Sequence, residues 1–175
     1  MIRVAGEADI AAIADTYTEL LVYEQEHGSN SNWKLGAYPT IAVPKRAVPA
    51  GTMYVLEEEG EVCGSMILNH AQAKEYADVP WQYPAEGEEV LVVHTLCIPP
   101  RMAGHGYGRA MVRFAQNQAA RLGCRVIRID TYEHNEPAKG LYLKSGFRIA
   151  GHGKSLLEGV IEEDQVFLEY LVPRA

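Results

Sequence analysis

The sequence predicts an α/β domain on a mixed sheet, and three observations carry that expectation. Stretches with strand character alternate with stretches of helical period along the chain. One run, Glu89 to Ile98, is continuously β-rich and largely apolar, as suits a central strand covered on both faces. That run leads into a glycine-rich bend followed by an amphipathic stretch, the sign of a strand that turns into a helix.

Residues 2–5 read as a short strand. Glu7 to Glu26 reads as helical, because Ile10, Ile13, Tyr17, Leu20, Leu21 and Glu24 recur at spacings of three and four. His27-Gly-Ser-Asn-Ser-Asn32 supplies turn formers that end it. Residues 33–50 are irregular, with a short helix expected near Pro44. Gly51 to Glu58 and Val62 to Asn69 form a hairpin around Glu59-Gly60-Glu61. Residues 71–87 form a loop carrying Trp81 and Tyr83. After the apolar strand, Pro99-Pro100 stops the run.

The next helix spans about Gly108 to Leu122, with Met111, Phe114, Ala115, Ala119 and Leu122 as its buried stripe and Gly123 as its stop. Arg125 to Asp130 is a strand. Asn135 is an N-cap, with Pro137 in the first turn, where a missing N–H costs nothing. That helix carries Leu141 and Tyr142 and ends near Ser145-Gly146. Phe147–Ile149 and Gln165–Leu171 are the last strands, joined by a glycine- and acid-rich loop.

A chain of 175 residues suits one domain, residues 1–175, with a proper core, and 47% apolar residues mark it as globular. A net charge of -7 argues against a nucleic-acid partner, which needs a basic face, and fits a neutral or cationic substrate. Cys63, Cys97 and Cys124 are widely spaced, so neither a disulfide framework nor a metal site is expected. The start, Met-Ile-Arg-Val, does not read as a signal peptide, and no apolar run reaches membrane-spanning length. A cytoplasmic protein without a membrane partner is the expectation.

The run Arg101-Met-Ala-Gly-His-Gly-Tyr-Gly-Arg109 places glycines at 104, 106 and 108 between strand and helix. Backbone N–H groups and the helix dipole make such a junction an anion site. The dinucleotide pattern G-x-G-x-x-G fails, since its third glycine would fall on Arg109 or Met111, and the Gly-Lys-Ser/Thr of a P-loop is absent. Arg101, His105, Arg109 and Arg113 give this acidic chain a local basic patch. The competing reading is a flexible turn beside a solvated helix face, which Arg113 fits best.

The chain from Val92 to Phe147 resembles the GNAT superfamily, the acetyl-CoA-dependent N-acetyltransferases, on two motifs. Ala103-Gly104-His105-Gly106-Tyr107-Gly108 is similar to that family's Gln/Arg-x-x-Gly-x-Gly/Ala. Asn135-x-Pro-Ala-x-x-Leu-Tyr142-x-x-x-Gly146-Phe147 is similar to the segment that follows it. The departure is Ala103 at the Gln/Arg position, with Arg101 two residues earlier as a substitute to be checked. The resemblance implies a mostly antiparallel mixed sheet flanked by helices, acetyl-CoA as donor and coenzyme A as product. It implies that the strand end Leu96-Cys97-Ile98 lies along the pantetheine arm, through backbone groups of Leu96 and Ile98. The N–H groups from Gly104 to Arg109 would hold the pyrophosphate, and Asn135 would contact the cofactor. It also implies that a homodimer through the terminal strands is compatible with the fold.

Tyr142 is the candidate acid. Acetyl transfer expels a thiolate, and a phenol with a pKa near 10 keeps its proton at neutral pH. A core tyrosine at helical spacing is the competing role. His94 is the candidate base, because an amine nucleophile arrives protonated; a buried, satisfied histidine competes. Simple alternation puts Val92, His94 and Leu96 on one face and Thr95 and Cys97 on the other. Glu57, Glu58 and Glu89 are unranked alternative bases, and an acetyl-cysteine route through Cys97 has no evident activator. Trp33, Tyr38, Trp81 and Tyr83 fit either an acceptor pocket or plugs over the sheet edges. The expected function is acetyl transfer to the primary amine of a small molecule by direct attack. The alternatives are a protein or peptide amine as acceptor, and an acyl-CoA-binding sensor without turnover.

Overall fold

The computed structural model describes residues 1–174. Seven strands form one sheet: β1 (Ile2–Val4), β2 (Met53–Glu58), β3 (Glu61–Asn69), β4 (Val90–Cys97), β5 (Val126–Tyr132), β6 (Arg148–Leu157) and β7 (Ile161–Leu171). Their spatial order is β1-β2-β3-β4-β5-β7-β6. Every neighbouring pair is antiparallel except β4 and β5, which run parallel. The helices are α1 (Ile10–His27), α2 (Ala42–Ala47), α3 (Tyr107–Arg121) and α4 (Glu136–Lys144).

The apolar run of β4 is covered on both faces, as expected. Leu91 and Val93 join Ile127 and Ile129 of β5 beneath Met111, Val112, Ala115 and Ala119 of α3. Val90 and Val92 pack with Val126 and Phe167 under Tyr76, Trp81 and Tyr83 of the 71–87 loop. Farther along that second face, Ile13 and Tyr17 of α1 and Val43 and Ala47 of α2 cover Met53, Val55 and Ile67. Each fully buried aliphatic side chain of this kind contributes about 1.5–3 kcal/mol.

Two elements differ from the sequence reading, the buried stripe of α3 and the last loop, while the short helix expected near Pro44 is present as α2. Leu122 is 59% exposed, and Val112 takes its place in the buried stripe of α3. The helix near Pro44 begins at Ala42, which puts the proline in the first turn, where its missing N–H is harmless. The loop expected between the last two strands is instead a long hairpin, β6 paired to β7 from Arg148↔Glu169 to Leu157↔Ile161. Its sequence hides this, because glycines replace apolar residues where neighbours press against the sheet. A Cβ at Gly151 would lie 3.0 Å from the Pro80 ring. Among the described residues, no helix is long and apolar enough to cross a membrane.

Candidate active site

The parallel pair β4 and β5 separates partway along. Pairing runs through Val90↔Val126, Leu91↔Ile127 and Val92↔Arg128 and then stops, although both strands continue. β4 remains bonded to β3 as far as Cys97, and β5 to β7 as far as Tyr132. The two strand ends therefore diverge and leave a cleft between them.

A β-bulge sharpens this geometry and overturns one expectation. On β3, Ile67 opposes His94 and Ser65 opposes Cys97, so Met66 faces two residues of β4, Thr95 and Leu96. Thr95 takes a left-handed conformation, φ 50°. The extra residue breaks simple alternation. Cys97 lands on the same face as His94, packed with Ile13 and Tyr17, while Leu96 turns to the α3 face. The Cys97 thiol is fully enclosed there, and burial pushes its pKa up to about 12. It has no thiolate character at neutral pH, so the acetyl-cysteine route lacks its nucleophile.

The cleft holds a cavity of about 890 Å³. Its walls include His94 through Cys97 of β4 with Ile98 just beyond it, Asp130 to Tyr132 of β5, and Asn135, Leu141 and Tyr142 of α4 and its cap. His94 and Tyr142, far apart in sequence, thus share one cavity. Ala103 and Gly108 also reach it. Trp33 and Tyr38 line the cavity, whereas Trp81 and Tyr83 pack on the Phe167 cluster, so the aromatic loops divide between pocket wall and sheet cover. Glu57, Glu58 and Glu89 are engaged elsewhere: Glu57 with Arg3, Glu58 with the N-terminal ammonium and Glu89 with the Glu86 N–H.

At the cavity mouth, Gly104 (φ 80°) and Gly106 (φ 76°) make the bend into α3. Both need the left-handed region that glycine enters without a Cβ clash. The first bond of the helix is Ala110 N–H to Gly106 C=O, 3.0 Å. The N–H groups of Tyr107, Gly108 and Arg109 therefore have no helical acceptor and point out of the helix end. His105 stacks on Tyr107 at 5.4 Å between ring centroids. An anion such as a pyrophosphate fits these donors, with Arg109 exposed beside them.

Arg101 does not substitute for the missing Gln/Arg side chain. Its Nε donates to Glu19 Oε2 (2.9 Å), its Nη1 to Glu61 Oε2 (3.1 Å) and its Nη2 to the Val62 carbonyl (3.3 Å). It ties the loop to α1 and β3. Ala103 leaves the binding of an anion to backbone donors.

Asn135 caps α4 as expected: its Oδ1 accepts from Ala138 N–H at 3.2 Å, and its Nδ2 lies 3.4 Å from Thr131 Oγ1. His94 Nε2 lies 2.7 Å from Asn69 Oδ1, an oxygen that also accepts the Ala71 N–H at 3.0 Å. That backbone donor identifies the Asn69 atom as the acceptor, so Nε2 carries the histidine proton and Nδ1 keeps its lone pair. Burial lowers the His94 pKa to about 4, which keeps the ring neutral at physiological pH. Tyr142 is 5% exposed, and burial, with the nearby Asp130 charge, raises its pKa and holds the phenol protonated.

Asp130 is a site residue that the sequence reading missed. It lines the cavity, and its Oδ2 accepts a 2.6 Å hydrogen bond from Tyr76. Burial pushes its pKa up to about 6, against the effect of the Tyr76 bond and with added repulsion from Glu163 and Glu75. The available signal was a carboxylate closing an apolar strand five residues before the Asn135 cap.

Known proteins share this architecture. An acetyltransferase of the GNAT family from Streptococcus agalactiae 2603 superposes with a TM-score of 0.81 at 19% identity, over 99% of this chain and 96% of that one. The protein yncA from Salmonella typhimurium, solved with its cofactor acetyl-CoA, superposes at 0.69 and 19% identity, over 100% and 95% of the two chains. The ribosomal-protein-alanine N-acetyltransferase from Brucella melitensis gives 0.70 at 18% identity, over 98% and 99%. At these identities the likeness is one of fold. No curated protein matches the chain in sequence. The sequence profile of the acetyltransferase (GNAT) family matches residues 13–147, from within α1 to the end of the Asn135 motif. With most of its length matched and the split sheet in place, this chain belongs to the acetyltransferase (GNAT) family, whose acetyl donor is acetyl-CoA.

Proposed function

We propose that the protein transfers the acetyl group of acetyl-CoA to the primary amine of a small molecule, by direct attack within the β4/β5 cleft. The observation that carries this reading is that a single cavity joins His94, Asp130 and Tyr142 between the free helix end of α3 and a pocket walled by Trp33 and Tyr38. When bound, acetyl-CoA supplies an acetyl group activated as a thioester.

The remaining work falls to the chain. N–H groups from Gly104 to Arg109 bind the pyrophosphate. The backbone edge of Leu96, Cys97 and Ile98, released from β5 by the split, is free to pair with the amide-bearing pantetheine arm. Asn135 holds the α4 end against the same arm.

An alkyl amine has a pKa near that of lysine, about 10.4, and must lose a proton to attack. Two groups flank its path. The Nδ1 lone pair of His94 accepts a hydrogen bond from the amine, but a ring that titrates near 4 does not keep a proton. Asp130, near 6, keeps it better and stands on the opposite wall. Tyr142 offers its proton to the departing sulfur. General acid help of this kind is typically worth about 10²–10⁴-fold.

The test is release of free thiol from acetyl-CoA with a panel of small amines and, separately, short peptides. Turnover with small amines is expected. Turnover with peptides alone moves the acceptor to a protein amine. Stabilisation by coenzyme A with no turnover from any acceptor overturns the enzyme reading in favour of a sensor.

A further inference from the structure

The cavity wall specifies the charge of the acceptor beyond its reacting amine. Five carboxylate side chains line it, Glu24, Glu75, Asp130, Glu158 and Glu163, against one guanidinium, Arg46. Arg46 sits at the rim, its side chain 65% exposed and its Nη2 3.8 Å from Glu158 Oε1, so its charge is already matched. Glu163 and Glu24 are only 6% and 7% exposed.

Neutral groups fix both buried carboxylates. Glu163 accepts from Asn32 Nδ2 at 3.0 Å and Gln165 Nε2 at 2.9 Å. Glu24 accepts from the Ser29 and Ser31 hydroxyls and from the N–H groups of Asn30 and Ser31. Neutral donors orient a carboxylate without cancelling its charge. Neither group forms an ion pair among the described residues, and a buried, uncompensated carboxylate is costly unless a cation arrives.

Glu163 stands near enough to Asp130 to oppose its ionisation, so the negative potential continues inward to the reacting amine. Trp33 and Tyr38, set edge to face at 6.0 Å, add aromatic surface to the same wall. An acceptor bearing a carboxylate or phosphate would meet repulsion along this wall and find no free basic partner.

We propose that the acceptor is a dication, a diamine or longer polyamine chain, whose one amine is acetylated beside Asp130 and His94 while a second ammonium binds Glu163. This rests on the reading of the cleft as an acetyl-transfer site.

The test compares acceptors of one length that differ only in the far group: 1,4-diaminobutane, n-butylamine and 4-aminobutanoate, repeated with shorter and longer chains. The best diamine should exceed its monoamine in kcat/KM by about tenfold or more, the size expected for a charged hydrogen bond gained, and the aminocarboxylate should be poorest. Glu163→Gln should bring the diamine-to-monoamine ratio to within about threefold of one. Calorimetry with coenzyme A present should show diamine binding weakened about tenfold in that variant. Should the variant not fold, the wild-type series decides alone. Monoamines or aminocarboxylates matching the diamines overturn the dication and leave acetyl transfer standing, as does an unchanged ratio and affinity in a folded Glu163→Gln. Coenzyme A binding without turnover of any amine overturns both readings.

Discussion

The Tyr76 hydroxyl donates a 2.6 Å hydrogen bond to Asp130 Oδ2, joining the 71–87 loop to the end of β5 at the edge of the cleft. The phenol is itself raised well above its ordinary pKa by burial and by the Asp130 charge, so it remains the donor. One bond does not offset the desolvation of the carboxylate, whose pKa moves from 3.8 up to about 6. Between those two pH values the folded chain holds the proton more tightly than the unfolded one. The stability contributed by this group is therefore full below about pH 4 and is lost as pH rises to about 6. Asp130→Asn keeps an oxygen for Tyr76 and removes the charge. Its melting midpoint should exceed that of the wild type at pH 8, and the gain should shrink to nothing toward pH 4. A difference independent of pH would contradict the raised pKa.

Tyr142→Phe removes one oxygen from a wall position and leaves the Phe147 contact, a ring pair with centroids 5.8 Å apart. Thiol release should fall by about 10²–10⁴-fold in kcat. On the proposed reading, in which Tyr142 serves the reacting end of the donor and not its phosphates, the KM for acetyl-CoA should stay within about threefold. Full turnover in the variant would remove Tyr142 from the chemistry.

The two candidate proton acceptors differ enough in pKa to be told apart by rate. His94 titrates near 4 and Asp130 near 6. After correction for the free-amine fraction, kcat/KM should fall on the acid side with a midpoint near 6. Asp130→Asn should abolish that limb, and His94→Ala should lower the rate without moving it. A limb near 4 that shifts in His94→Ala would assign the proton to His94 instead.

What the sequence made legible was local chemistry. The apolar continuity of β4, the glycine bend before α3 and the Asn135 cap with Pro137 each depend on residues a few positions apart. The rest depended on partners distant in the chain. The bulge at Thr95 exists because β4 pairs with β3 out of step by one residue, so strict alternation placed Leu96 and Cys97 on the wrong faces. Arg101 reads as a free cation beside an anion site until Glu19 and Glu61, 82 and 40 residues away, are seen to hold it. Asp130 looked like the polar end of a strand, and its role came from a loop tyrosine 54 residues earlier. The β6–β7 hairpin was obscured by glycines whose purpose is to admit neighbours, Pro80 among them.

Arg101 is held by Glu19 and Glu61, whereas Gly106 shapes the backbone of the bend itself. Both sit at the bend proposed to hold the donor's phosphates, and only one should matter for binding there. Gly106 holds φ 76° at the N-terminus of α3, where an L side chain costs about 1–2 kcal/mol. Gly106→Ala should lower the melting midpoint by a few degrees. It should also raise the KM for acetyl-CoA several-fold, because relaxing the strain turns the free N–H groups of Tyr107, Gly108 and Arg109 away from a common point. Arg101→Ala removes partly exposed ion pairs to Glu19 and Glu61, an effect of about 0–1 kcal/mol on stability. Its KM for acetyl-CoA should stay within about twofold of the wild type. A large rise in that KM for Arg101→Ala would mean that the guanidinium leaves Glu19 when the donor binds, and would return to Arg101 the role that its ion pairs deny it.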